Sequence, residues 1–524
     1  MSYGATSFAI LATASAAALT GLALFAPGNA VAQSKSVTIV LVEEPDALDN
    51  CSTNRSAVGR VLKQNINETL TELDVKDGSI KPRLATSWER INDTTWRFKL
   101  RPGVFFTDGA PLNAENVSKS IARTMDKNLD CQIRIKTFGD IPLTGVAVDE
   151  LTLDIKSDKP EPILPTRMTV VSLDSPNLPH QNKMVTTIGT GPYVLDYYKP
   201  GVEIGLKRNE KYWGKAPVVE SAKYVWRKES AVMASMVAVG EADLAPAIGK
   251  QDATDPAMDR SYISTETNYV RIESQVPPLD DRRVRLALNY AVDREAMRGS
   301  IIPKDAIPAS HMVIPSVAGW NPEVGKKVYP YDVAKAKQLL AEAKAAGVPV
   351  DKHIDIFGRT NLWPNATETM EALLTMWQAI GLNVSLRMLD VSQWTELNVH
   401  PNKGKSATAE EAKIANRDPI LLGHMHDNNL GDPVFSMYNK YSCKNQSSTH
   451  CNPDLDVLIA KATALSGPER VKTWQEVMKI VHEDMVADVF LYHLVYYARV
   501  GKRINFAPTS ATNSEIPLEQ ITFK

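Results

Sequence analysis

The fold is decided by residues 81–120, which have the sequence KPRLATSWERINDTTWRFKLRPGVFFTDGAPLNAENVSKS. Alternation of polar and apolar side chains predicts two short strands, Ser87–Arg90 and Thr95–Leu100. Asn113 predicts the start of a helix, because its side chain can cap the first free backbone N–H groups. The buried face of that helix is expected to contain Val117, Ile121 and Met125. No catalytic arrangement is present, so this stretch is structural.

Strand and helix patterns alternate along the rest of the chain. The apolar run Val37–Val42 is typical of a buried strand. Helices are predicted to begin near Asp280 and at Asp332, and two further helices are predicted at residues 367–380 and 468–484. The apolar run Phe490–Val500 predicts a last buried strand. This alternation indicates the α/β class.

Several motifs, taken in order, carry a family resemblance. Residues 82–117 contain PxLAxSWE and TxWxFxLRxGVxFxDGxPLxAxxV, and shorter motifs are NxxExL at 65–70, GTGPY at 189–193 and LxRNxxYW at 206–213. Together they closely resemble the family 5 extracytoplasmic solute-binding proteins of ABC importers, the dipeptide, oligopeptide and nickel group. The resemblance extends over residues 37–500.

The resemblance implies the fold and its division into domains. The expected fold is the two-lobed periplasmic-binding-protein fold of type II, in its large three-subdomain variant, with lobes linked by a hinge. Lobe I would contain residues 33–70, 188–272 and 486–524, with an inserted subdomain at 71–187. Lobe II would contain residues 273–485.

The first 32 residues predict export. They contain no charged side chain, and an apolar run ends in the small residues Ala30-Val31-Ala32. This pattern is typical of a secretory signal peptide that is removed before Gln33. An uncleaved membrane anchor is the alternative, because about 20 apolar residues can span a bilayer. Export implies a periplasmic location.

The charge balance argues against nucleic acid as a partner. The chain has 59 basic and 61 acidic residues, a net charge of −2, and no basic block. A nucleic-acid-binding surface requires a concentration of positive charge.

The four cysteines of the chain predict disulfides, since an even number in an exported protein favours pairing. Cys443 and Cys451 flank a short polar loop and are expected to pair with each other. That leaves Cys51 with Cys131. A metal site at Cys443, His450 and Cys451 is the alternative, but it lacks C-x-x-C spacing and a fourth ligand.

Enzyme motifs are incomplete. The chain has no G-x-S-x-G element, and Val399 stands where a phosphate-binding loop ending at Gly404-Lys405-Ser406 would need glycine. His482-Glu483 begins like a zinc-protease helix, but Val486 replaces the second histidine. We therefore expect no enzyme and no cofactor, and a secreted hydrolase is the weaker alternative.

The segment 423–433, GHMHDNNLGDP, supplies the main candidate for ligand binding. It resembles the family segment GxxxDxxxDPxxF, whose first aspartate holds the ammonium group of bound peptides, and the resemblance assigns that role to Asp427. A simple turn residue beside two asparagines is the other interpretation, because aspartate is common in turns.

Further candidates are Asn54, Arg55, Trp394 and His426. The family resemblance implies that Asn54 and Arg55 line the cleft, where the guanidinium could meet an anionic group. Trp394 is a candidate aromatic wall. His426 and His424 flank Met425 on one face of a predicted strand, and they could contact a metal chelate as in the nickel branch.

These observations predict a monomeric solute-binding protein that delivers its ligand to an ABC permease of the inner membrane. The expected ligand is a short peptide or an amine-bearing solute of similar size. A metal or metal-chelate ligand of the nickel type is the alternative.

Overall fold

A computed structural model of the protein describes residues 35–524, with the exception of 54, 76–77, 140, 318, 400–417, 429, 444–447 and 466. The predicted signal peptide at 1–32 and the candidate residue Asn54 lie outside the described residues. Among the described residues, no helix combines the length and the apolar composition needed to span a membrane.

The strands are numbered in chain order. They are β1 (Ser36–Leu41), β2 (Thr71–Leu73), β3 (Ile80–Pro82), β4 (Ala85–Asn92), β5 (Thr95–Leu100), β6 (Leu143–Ala147), β7 (Thr152–Ser157), β8 (Tyr193–Lys199), β9 (Glu203–Arg208), β10 (Ser221–Trp226), β11 (Leu244–Ile248), β12 (Asp259–Ile272), β13 (Ile307–Pro308), β14 (Ile354–Arg359), β15 (Val384–Leu389), β16 (Ile420–Asp427), β17 (Asp488–Val500), β18 (Ile504–Asn505) and β19 (Thr522–Phe523).

The helices are numbered in the same way. They are α1 (Ser56–Leu62), α2 (Ala114–Met125), α3 (Leu164–Arg167), α4 (Ser230–Ala238), α5 (Arg282–Tyr290), α6 (Arg294–Met297), α7 (Pro322–Gly325), α8 (Val333–Ala345), α9 (Ala366–Ala379), α10 (Val391–Val399), α11 (Pro433–Tyr441), α12 (Pro453–Ala464) and α13 (Gly467–Lys479). Two π-helical turns, Arg134–Phe138 and Ile480–Asp484, stand apart from these helices.

One large mixed sheet joins most of the chain. Its strands follow the order β15-β14-β16-β12-β17-β11-β1-β10-β9-β8, and β13 pairs with β17. The long strands β12 and β17 run antiparallel in the middle, from the pair Asp259 and Arg499 to the pair Arg271 and Asp488. Strands from residues 36–248 lie on one side of this pair, and strands from residues 354–427 lie on the other. The two halves of the sheet are therefore connected through β12 and β17.

Residues 81–120 fold as predicted into β4, β5 and α2. Asn113 caps α2, because its side chain accepts a hydrogen bond from the backbone N–H of Asn116 at 2.9 Å. β4 and β5 belong to a separate four-stranded sheet of order β4-β5-β7-β6. A hydrophobic core lies between this sheet and α2, and it includes Phe98, Leu100, Val117, Ile121, Leu153 and Ile155.

The other predicted elements are present, with one difference. Asp332 caps α8 through the backbone N–H of Lys335 at 2.8 Å, and α5 begins after Asp281. The predicted helix at 468–484 is shorter, because α13 ends at Lys479 and the chain then forms the π-helical turn Ile480–Asp484. The domain boundaries given above stay a prediction.

Both expected disulfides are present in the structure. Cys51 is bonded to Cys131 and Cys443 to Cys451. The first bond connects the segment before α1 with the segment that leads into the turn Arg134–Phe138.

A fully buried carboxylate, Glu68, connects several distant segments. It accepts hydrogen bonds from Arg83 Nε at 2.7 Å, Thr190 Oγ1 at 2.8 Å, Tyr212 OH at 3.0 Å and Trp213 Nε1 at 2.8 Å. Burial raises the pKa of Glu68, and these donors act in the opposite direction. Because the carboxylate of Glu68 is buried, its oxygen atoms would destabilise the fold if they lacked these hydrogen bonds.

We expect Glu68→Ala to lower the free energy of unfolding by about 3 kcal/mol. The substitution removes the main partner of the nearly buried Arg83 and leaves three further hydrogen-bond donors without an acceptor. Glu115→Ala is the matched control, since the Glu115 side chain is 71% exposed and pairs with Lys119 on the same helix. The control should change stability by less than about 1 kcal/mol. Urea unfolding measures both, and equal losses would contradict the assigned role of Glu68.

Candidate functional site

A cavity lies where three parts of the chain meet: the segment after β16, the segment around the turn Arg134–Phe138, and residues near 53 and 514. It encloses about 430 Å³, including the part that is open to solvent. Its wall contains four apolar side chains, three hydroxyl groups and three charged groups: Ile133, Val170, Leu430 and Phe435; Thr53, Thr137 and Ser514; Lys63, Lys136 and Asp427.

Asp427 is the last residue of β16, and it lies opposite Glu266 of β12. The following residue fixes the end of the strand. Asn428 donates from its backbone N–H and from its side chain to the carbonyl oxygen of Thr265, each at 2.9 Å, and its side chain also donates to Met312 O at 3.1 Å. These hydrogen bonds attach the end of β16 to β12, and they thereby hold Asp427 on the cavity wall.

Lys136 reaches the same cavity from the turn Arg134–Phe138. Its carbonyl oxygen accepts a hydrogen bond from Asn439 Nδ2 at 3.0 Å, which ties the turn to α11. The carbonyl oxygen of Thr137 accepts a further hydrogen bond from Arg167. These backbone contacts fix the turn while the Lys136 side chain stays solvent-accessible.

The Lys136 side chain is exposed to solvent, although many protein atoms lie near its ammonium group. The surrounding protein lowers the pKa of Lys136, Asp427 acts to raise it, and Arg55 lowers it further. The positive charge of Lys136 is therefore poorly compensated by its surroundings.

Glu266 adds a second carboxyl group behind Asp427. Burial and the nearby charge of Asp427 raise the pKa of Glu266 to about 7, although a hydrogen bond from Tyr496 OH at 2.5 Å opposes the shift. Glu266 lies where the pairing of β12 with β17 shifts register, between Ile263 and Thr267. The two carboxyl groups therefore lie close enough for the charge of Asp427 to disfavour the charged form of Glu266.

Arg359 brings a guanidinium group to the same region from the end of β14. Burial lowers the pKa of Arg359, whereas the charges of Glu43 and Glu266 raise it. Its guanidinium carbon lies 5.4 Å from the ring centre of Trp394. The Nε–H is buried and has no hydrogen-bond partner among the described residues, so the guanidinium is incompletely paired within this part of the chain.

The predicted residues do not all line the cavity. Asp427 lines the cavity, whereas Arg55 does not. Arg55 is exposed and forms an ion pair with Asp46, and its charge also acts on Lys136. Trp394 is buried and donates its indole N–H to Gly423 O at 3.0 Å. Its ring contacts the guanidinium of Arg359 and the ring of His424.

His426 and its neighbour His424 are buried behind the cavity wall. His426 Nε2 lies 2.7 Å from Ser436 Oγ, and its ring packs against Phe435 with centroids 5.3 Å apart. Both ring nitrogens of His424 lie 2.7 Å from protein oxygen atoms. Burial, and next the charge of Lys440, lowers the pKa of both histidines well below the usual value, so both rings are neutral and hydrogen-bonded.

No group of three or more histidine, cysteine, aspartate or glutamate side chains with metal-binding geometry is found among the residues that the structure describes. The alternative metal site at Cys443, His450 and Cys451 is excluded in another way, because Cys443 and Cys451 are joined in a disulfide.

Sequence reasoning missed Lys136, Glu266 and Arg359. Lys136 lies in a region without a regular pattern, and its place in the cavity depends on contacts with residues about 300 positions away. A signal existed for Glu266, which is a charged residue within a strand that is otherwise suited to burial. Arg359 gave no such signal, because no strand was predicted at residues 354–359, where the structure has β14.

The comparisons with known proteins identify the family. The family model for bacterial extracellular solute-binding proteins, family 5, middle region, matches residues 79–448. The chain belongs to this family, as the motifs predicted. It is therefore a solute-binding protein and not an enzyme.

Relatives and solved structures agree with this assignment. The dipeptide-binding protein of Escherichia coli K12 is 24% identical over 467 residues, which cover 82% of this chain and 83% of that protein. A dipeptide-binding protein of Pseudoalteromonas, solved with Met-Leu, has a TM-score of 0.77 at 18% identity over 93% of this chain and 100% of that chain. NikZ of Campylobacter jejuni, solved with Ni(L-His), has a TM-score of 0.72 at 20% identity over 91% of this chain and 96% of that chain. The two-lobed type II fold is thus confirmed.

The raised pKa of Glu266 predicts how stability depends on pH. The pKa is about 7 in the folded protein and about 4.3 in an unfolded chain. The folded state binds the proton more tightly, so this contribution to stability is fully present below about pH 4 and is lost as the pH rises through about 7. Glu266→Gln should therefore gain stability relative to the wild type between about pH 5 and pH 8, by up to roughly 3 kcal/mol.

Thermal unfolding of both proteins across this range measures the effect. Glu203→Gln is the control, because the pairing of Glu203 with Lys199 lowers its pKa and its titration lies below the range. A melting-temperature difference between Glu266→Gln and wild type that does not change with pH would contradict the account.

Proposed function

We propose that the protein is the periplasmic solute-binding component of an ABC importer, and that it captures a short peptide or an amine-bearing solute of similar size. The observation that carries this proposal is the position of Asp427 on the wall of a cavity in a chain of this family. The residues lining the cavity come from the predicted lobe I, inserted subdomain and lobe II. The solute is bound and released without chemical change.

The cavity offers a partner for the ammonium group of a peptide. A buried ammonium that lacks a carboxylate costs several kcal/mol, so a site for amines must contain one. Asp427 supplies it at the end of β16. Its neighbour Glu266 is buried, and burial together with the charge of Asp427 raises the pKa of Glu266 to about 7, so Glu266 is less suited to this role.

Arg359 is suited to the opposite end of a zwitterionic solute. A guanidinium presents a planar set of donors that matches a carboxylate. Arg359 is only half-buried and keeps an unsatisfied N–H among the described residues. Its packing on Trp394 limits the freedom of the guanidinium, and this gives Trp394 an indirect role in ligand binding.

The remaining wall fits the rest of a peptide. Its apolar members, Ile133, Val170, Leu430 and Phe435, can cover apolar side chains, and three hydroxyl groups can pair with peptide groups. The peptide-binding names of two of the relatives support the same class of ligand.

Closure of the lobes would follow from the sheet. β12 and β17 form the connection between its two halves. The cavity wall combines residues of the predicted lobe I, such as Thr53 and Ser514, with residues of the predicted lobe II, such as Asp427 and Phe435. A solute that contacts both halves favours the closed arrangement by its difference in affinity for the two states.

We further propose that the protein acts in the periplasm as a monomer after removal of residues 1–32, and that an inner-membrane permease receives the solute. The apolar first segment of the sequence and the family membership support this proposal.

Asp427→Asn should weaken the binding of di- and tripeptides about 100-fold, because a charge-assisted hydrogen bond to the ammonium is lost. Isothermal titration calorimetry with a peptide panel measures the affinity. In the wild type, a peptide at about 100 times its Kd should also stabilise the fold by about 2.7 kcal/mol. Asp196→Asn, which removes an exposed charge paired with Lys207 on the edge of the sheet, is the control and should leave binding unchanged.

Two results would count against this role of Asp427. Unchanged peptide binding in Asp427→Asn would remove it from the site. A large loss of stability in the peptide-free variant would instead favour the interpretation of Asp427 as a structural turn residue.

Chelation tests the nickel-type alternative. The ring nitrogens of His424 and the Nε2 of His426 are already hydrogen-bonded, so we expect EDTA treatment to leave peptide affinity unchanged. Loss of binding that Ni²⁺ restores would favour a metal-chelate ligand.

A further inference from the structure

The cavity contains more positive charge than a simple dipeptide requires. Lys136 and Asp427 both line it, yet they come from segments about 290 residues apart. Among the described residues, the Lys136 ammonium makes no hydrogen bond and no ion pair within 4 Å. Its side chain is therefore available to a ligand, in contrast to Lys63 on the same wall, which forms an ion pair with Glu515 at 2.7 Å.

The surroundings of Lys136 are predominantly cationic. The negative charge of Asp427 attracts the Lys136 ammonium, whereas the positive charge of Arg55 repels it. Lys136 in turn lowers the pKa of Lys440 and of His426. Arg55 is itself compensated by Asp46. A ligand ammonium bound to Asp427 would take over that carboxylate, and Lys136 would then lack a nearby counter-charge.

A ligand that brings its own anion resolves this imbalance. The anionic group of the ligand must lie close to the ligand's own ammonium group, because Lys136 and Asp427 are near enough for their charges to interact. A glutamate or aspartate side chain on the first residue of a peptide has this arrangement. The peptide's terminal carboxylate remains separate and is left to Arg359.

We propose that Lys136 is a specificity-determining residue, and that the protein prefers peptides or related amines whose first residue carries an acidic side chain. This inference rests on the proposed function, since it takes the ammonium to be held by Asp427.

The test compares two isosteric peptides, Glu-Ala and Gln-Ala, by calorimetric titration of the full mature protein. The wild type should bind Glu-Ala about tenfold more tightly, because one charge-assisted contact is added. In Lys136→Met the two affinities should agree within about twofold while Gln-Ala binding changes little. Lys136→Arg should keep most of the preference, and so should the control Lys119→Met, because Lys119 is exposed on α2, where it pairs with Glu115.

The outcomes separate this inference from the proposed function. If Gln-Ala binds and Glu-Ala gains nothing, or if the preference survives in Lys136→Met, the specificity role is wrong and the peptide-binding function stands. If the wild type binds neither peptide nor any other di- or tripeptide, both are wrong. Because Lys136 is exposed and its turn is fixed by backbone contacts, we expect the Lys136 variants to fold normally.

Discussion

The pairing of β12 with β17 is the constraint on which the rest of the structure depends. The two strands are the longest of the large sheet, and most of their residues are buried. In the large sheet, β1 and β8–β11 lie on one side of the pair, and β14–β16 lie on the other. A change in the relative position of the two halves must therefore be accommodated along β12 and β17, since no other pair of the described strands connects the halves.

The site follows from this arrangement. Glu266 lies on β12 at the place where the register with β17 shifts, and Asp427 lies directly opposite on β16. Tyr496 of β17 donates to Glu266, while Arg359 ends the next strand on the same side. The charges of the site thus lie on strands that are held by the sheet, and Lys136 is the exception. It is carried by a separate turn that hydrogen bonds and the disulfide between Cys51 and Cys131 hold in place.

Much of the scaffold was predictable, and Glu68 shows why. Its donors, Arg83, Thr190, Tyr212 and Trp213, belong to three of the ordered motifs, and Glu68 lies in a fourth. A motif of this kind is recognisable in a sequence because a buried carboxylate with four donors tolerates few substitutions. The helices α2 and α8 were predictable for a local reason, since a capping side chain lies within three residues of the group that it satisfies.

The site was less predictable because its members are joined by long-range contacts. Asp427 was identified through a family segment, but nothing local links it to Lys136 or to Arg359. Trp394 was predicted as an aromatic wall for the ligand, but one sequence cannot show that its ring is buried and packs against a guanidinium. The two histidines illustrate the same point: their alternation on a strand was correct, and only their burial and their hydrogen bonds argue against a metal-binding role.

A crystal structure of the protein grown with a di- or tripeptide tests the central claim most directly. The account predicts a peptide enclosed between the two halves of the sheet, with its ammonium nitrogen about 3 Å from a carboxylate oxygen of Asp427. A peptide whose ammonium is held by Glu43 or Glu266 instead, or a ligand bound outside the cavity, would contradict it.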